Sequence, residues 1–139
     1  MTTYINELYE VHGILDRYII IHDTIFKFSW RQTIPIPGFF KPIHYGQHVD
    51  ALNTLISSLD NLSTSVSKND DAPDVFNQYI LSLLETMKFL RNMCSRLYDK
   101  SQGDLQSYPM DQYRADVATY ERLVEKYHTL GATLNQYIS

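Results

Sequence analysis

The chain has 139 residues, enough for one domain with a full core that needs no disulfide or metal staples. Its 44% hydrophobic and 20% charged content is that of a soluble globule, and a net charge of −4 spread along the chain argues against a dedicated nucleic-acid footprint. The most apolar run, Tyr18–Ile21, stops at His22 and Asp23, well short of the ~20 residues of a membrane span.

The opening residues, MTTYINELYEV, carry Glu7 and Glu10 and lack a basic stretch, so they do not read as a secretory signal. A single cysteine, Cys94, rules out an intramolecular disulfide and suits a reducing compartment. Together these features lead us to expect a cytoplasmic protein.

Apolar residues spaced by three and four mark four helical segments. The first spans about residues 4–31, with an expected core stripe of Ile5, Leu8, His12, Leu15, Ile19, His22 and Phe26. Next comes TIPIPGFFKPIHYGQHVD, whose three prolines and Gly38 suit neither helix nor strand. Residues 33–46 form a long crossover for helical neighbours, which usually need only about 2–8 linking residues. Its Ile34, Ile36, Phe39, Phe40, Ile43 and Tyr45 supply apolar material, so a structured lid or a preformed binding loop is expected.

The second segment covers about residues 47–67, with a stripe of Val49, Leu52, Leu55, Leu59, Leu62 and Val66. SKNDD, residues 67–71, is a polar turn. The third runs from about Pro73 to Gln102 along Phe76, Ile80, Leu83, Met87, Leu90, Cys94 and Leu97, and Gly103 can end it in left-handed backbone. The fourth runs from about Pro109 to Ile138 along Met110, Tyr113, Val117, Tyr120, Val124, Tyr127, Gly131, Leu134 and Ile138. Pro73 and Pro109 suit a helix start, and Asp74 and Asp111 follow where the helix dipole favours an acid. Gly13 and Gly131 lie inside helices at a cost of ~1 kcal/mol each, which points to close packing at those positions. Residues 1–139 thus read as a single all-α domain. The expected architecture is an antiparallel up-down-up-down four-helix bundle with a long structured crossover between helices one and two.

Function is less legible than fold. No glycine-rich phosphate loop, G-x-S-x-G or H-E-x-x-H occurs, and Cys94 sits among apolar neighbours, so an enzyme is not expected. Tyr113, Tyr120 and Tyr127 recur every seven residues within a total of eleven tyrosines. That seam is core packing first, but tyrosine also favours interfaces, so partner binding or a homodimer through helix one or four is expected. The candidate partner-binding residues are Phe39, Phe40, His44 and Tyr45 in the crossover.

A second reading is a metal- or ligand-binding bundle. His44 and His48 have i, i+4 spacing, but Gly46 and Pro42 interrupt the local helix. Register offers more. If Arg31 on helix one lies level with Pro109 on helix four, His128 lies about 28 Å further down and meets His12. Asp16 and Glu125, each within a turn, complete a set of His12, Asp16, Glu125 and His128 whose donors suit zinc or iron. Helix two offers no carboxylate at that level, so a di-iron centre does not fit. No cofactor is expected. An interaction module should expose an apolar patch, whereas a ligand site should show a concavity with converging polar groups.

Overall fold

The computed structural model describes residues 4–31, 45–103 and 107–138. Side chains are described within these ranges except for residues 27–31. Phe39, Phe40 and His44 lie outside the described residues, as does the rest of the crossover up to Tyr45. Four helices account for nearly everything described: α1 (Ile5–Arg31), α2 (Tyr45–Ser67), α3 (Asp74–Ser101) and α4 (Met110–Ile138). Among the described residues there is no strand, and no helix is long and apolar enough to cross a membrane.

The helix ends follow local chemistry. Pro73 lies one residue outside α3 with extended backbone (φ −67°, ψ 146°), and its carbonyl accepts the first-turn amide of Phe76 at 2.9 Å. Pro109 serves α4 in the same way, accepting the amide of Tyr113 at 3.0 Å. Gly103 has φ +108°, a conformation that costs an L side chain strain, and it follows the end of α3 as expected. α2 begins two residues earlier than the sequence suggests, with Gly46 in its first turn. A Cβ there would come within 3.3 Å of the Tyr98 ring, so Gly46 permits a close approach to α3.

Packing runs in series: α1 lies on α2, α2 on α3 and α3 on α4. α2 buries Leu52, Leu55, Leu59, Leu62 and Val66, and α3 buries Phe76, Ile80, Leu83, Met87, Leu90 and Cys94. These are the expected stripes except for Val49 and Leu97, which are half-buried, and each large apolar side chain so buried contributes roughly 1.5–3 kcal/mol. α3 also buries Val75, Tyr79, Leu84, Thr86 and Met93, because helices cover it on two sides. The Thr86 hydroxyl satisfies itself locally by donating to the Ser82 carbonyl at 2.8 Å.

α1 departs from expectation. Its buried row is Val11, Ile14, Tyr18, Ile21 and Ile25, one residue back from the expected stripe. Leu8, Leu15, His22 and Phe26 lie at the half-buried edge, and His12 and Ile19 are exposed. Two adjacent rows of α1 are apolar, and spacing alone does not say which faces the centre.

Candidate functional site

The side of the molecule between α1 and α4 is built differently from the other helix contacts. These two backbones do not approach as the three packed pairs do; large side chains span the gap instead. Tyr18, His22 and Phe26 are spaced by four on α1 and therefore form one ridge. Tyr120 and Tyr127, seven apart on α4, meet it. Tyr18 sits edge-on to Tyr127 at 6.2 Å, while Tyr120 stacks on His22 at 5.5 Å and on Phe26 at 5.3 Å.

A polar chain runs through this aromatic layer. The Tyr18 and Tyr120 hydroxyls are hydrogen-bonded, and the Tyr120 hydroxyl also lies 2.7 Å from Nδ1 of His22. Tyr18 donating to Tyr120, and Tyr120 to a neutral imidazole, satisfies all three groups. Burial lowers the His22 pKa below its ordinary value; Asp23 partly opposes this and His128 adds to it. Burial likewise raises the phenols of Tyr18, Tyr120 and Tyr127, and pushes Tyr79 up to about 12. The Cys94 thiol is also pushed up to about 12 by burial, which keeps it protonated and inert.

Two concavities open along this side. One, of about 540 Å³, lies between Leu8, Val11 and Leu15 of α1 and Leu134 and Ile138 of α4, with Tyr79 of α3 beneath. Gly131 makes room there: a Cβ at that position would stand 3.1 Å from the Tyr79 ring. Tyr9, 71% exposed, stands at its edge. The other, of about 430 Å³, is lined by His22, Phe26, Tyr120 and Val124, with Glu121 and Glu125.

The expected ligand residues lie on two helices, His12 and Asp16 on α1 and Glu125 and His128 on α4. His12 Nε2 lies 3.7 Å from Asp16 Oδ2, with the two side chains 72% and 62% exposed. Glu125 lines the second concavity, and His128 is exposed, edge-on to Tyr127 at 4.6 Å. Among the described residues no group of three or more His, Cys, Asp or Glu side chains is placed to hold a metal ion. Of the crossover candidates, Tyr45 is described: it begins α2, half-buried against the core.

Local spacing does not reveal the Tyr18–Tyr120–His22 chain, but helix register brings its members to one level. Tyr120 lies eleven residues beyond Pro109, which is level with residue 20 of α1, between Tyr18 and His22. The basic residues Arg91, Arg96 and Lys100 have mainly structural partners: Asn53, Asp116 and the Tyr108 carbonyl.

Comparison with protein-family models, curated proteins and solved structures finds no match to this chain.

Proposed function

We propose that the chain is a non-enzymatic helical interaction module whose α1–α4 side receives a partner helix, from a second copy or from another protein. The observation that carries this reading is the open α1–α4 side, where side chains rather than packed backbones bridge the helices and an apolar concavity lies beside exposed Tyr9 and Ile138. The bundle is read as up-down-up-down. Few residues separate α2 from α3 and α3 from α4. Ser63 reaches Asn77 near the first turn, while Asn53, further back on α2, meets Arg91, further along α3. Burial pushes the Tyr79 phenol and the Cys94 thiol up to about 12, far from neutrality, which favours binding over catalysis at these two groups. The single cysteine supports a reducing, cytoplasmic setting.

Phe39, Phe40, His44 and Tyr45 form the loop part of this proposal. Phe39→Ala should leave the melting temperature unchanged and weaken partner binding; a large loss of stability instead would make the loop a lid. The main test is sedimentation velocity across a wide concentration range, together with recovery of co-purifying protein, for wild type and Tyr9→Glu. Self-association or a bound protein lost in Tyr9→Glu is expected. A strict monomer whose co-purifying proteins do not change with the substitution would sink the reading.

A second reading, a ligand-binding bundle using His12, Asp16, Glu125 and His128, draws support from the His12–Asp16 pair and from Glu125 beside His22. Metal analysis of untagged wild type and His12→Ala tests it: a stoichiometric metal lost in the variant is the outcome it requires.

A further inference from the structure

The two concavities of the α1–α4 side differ in chemistry. The one near Leu134 is mainly apolar, between Leu8, Leu15 and Ile138, with His12 and Asn135 also in its lining. The one near Val124 combines aromatic rings with carboxylates: Phe26, His22 and Tyr120 supply the rings, and Glu121 and Glu125 the charge. Both glutamates are exposed and four residues apart on α4, so they share a face. Among the described residues, neither takes part in an ion pair.

The neighbouring cations of α4 have other engagements. Lys126 lies 3.7 Å from Glu85 of α3, and Arg122 donates to Thr119. Burial keeps His22 from charging readily, and Asp23 and His128 are the other titratable groups acting on it. Carboxylates beside aromatic faces attract an organic cation through Coulomb attraction and the ring quadrupole together.

We infer that the partner of the α1–α4 side is a basic amphipathic helix whose apolar side chains fill the Leu8–Leu134 concavity while one Lys or Arg enters between Glu121 and Glu125 against Phe26. The inference rests on the interaction reading above and names the chemistry of the partner. Spacing makes it specific. Leu134 and Val124 are about 15 Å apart along α4 at 1.5 Å per residue, so a partner helix lying alongside must carry its cation about ten residues from its apolar anchors.

The test uses the whole chain and a synthetic helical peptide with leucines on one face of its first two turns and a single lysine about ten residues further on. A second peptide carries glutamine in place of that lysine. Fluorescence anisotropy should show the lysine peptide binding about three- to fivefold more tightly than the glutamine peptide. That advantage should disappear in the Glu121→Gln/Glu125→Gln double variant, whose substitutions lie on the surface, and should shrink with added salt. Equal affinity of the two peptides would overturn the cation while leaving the interaction reading in place. If neither peptide binds and the chain forms dimers lost in Tyr9→Glu, the side belongs to a second copy and the basic partner is wrong. If neither peptide binds, the chain stays monomeric and its co-purifying proteins change in Tyr9→Glu, the basic partner is wrong and the interaction reading stands; if those proteins do not change either, both readings fall.

Discussion

Tyr120 carries two hydrogen bonds on one hydroxyl, to Tyr18 and to His22, while its ring is almost wholly buried against Phe26 and His22. Tyr120→Phe keeps the ring and removes the link between its two partners. The Tyr18 hydroxyl then stays buried without that acceptor, so a loss of about 1–3 kcal/mol is expected in urea denaturation. Adding Tyr18→Phe removes the stranded hydroxyl, and the double variant should be less unstable than the two single losses added together. His22 gives a pH signature at the same point. Its pKa is lowered in the folded chain, whereas an unfolded histidine titrates near ~6.5. Below that value the unfolded chain takes up the proton first, so this contribution to stability is present above about pH 6.5 and is lost as pH falls through the folded pKa. The urea midpoint should therefore drop less on acidification in His22→Gln than in wild type; identical profiles would remove His22 from the account. Spacing alone ranked the histidines less well. His12 and His22 occupy equivalent places in the expected stripe, yet the first is exposed and the second half-buried. The difference is made by what faces each from α4, which no local pattern records.

At the scale of the helix, the two interior glycines that look alike in sequence have different surroundings. A Cβ on Gly13 would meet nothing within 4 Å, whereas one on Gly131 would press on the Tyr79 ring at 3.1 Å. Gly13→Ala should therefore keep most of the ~1 kcal/mol propensity gain and raise the melting temperature. Gly131→Ala should gain less or lose stability, because Tyr79 is buried and has little room to give way. Thermal denaturation of the two variants side by side checks this; equal gains would show that Tyr79 yields freely. The α3–α4 connection has a similar hidden lock. Tyr108 is fully buried, donates to Asp116 at 2.5 Å and lies under the Arg96 guanidinium at 5.6 Å, details that its position before a proline does not announce. By contrast, the face of α2 was legible from spacing, since it carries one dominant apolar row, while on α3 the expected row was legible and the second buried side with Val75, Tyr79 and Met93 was not. α1 carries two, and the choice between them depends on α2 and α4.

For the whole molecule, number and order of helices follow from four periodic stretches and the punctuation between them, but the spacing between helices does not. Periodicity reports which face turns inward and says nothing of how far away the neighbour stands. On the α1–α4 side the answer depends on Tyr18, His22, Phe26, Tyr120 and Tyr127, whose size bridges a gap that smaller residues would have to close. The consequence is uneven stability. α3 is covered by α2 and α4, while among the packed pairs α1 is held by α2 alone and meets α4 through rings. Opening α1 away from the rest exposes Val11, Ile14, Tyr18, Ile21 and Ile25 and breaks the Tyr18–Tyr120–His22 chain. Opening α3 destroys the whole core. Native-state hydrogen exchange should therefore find the slowest amides in the middle of α3, near Leu83 to Leu90, at the global unfolding free energy. Amides around Ile14 to Ile21 should exchange through a smaller opening with a weaker dependence on denaturant, and Tyr120→Phe should accelerate them more than those of α3. The same free energy and the same denaturant dependence for both helices would mean that the aromatic bridge binds α1 as firmly as close packing binds α2 to α3.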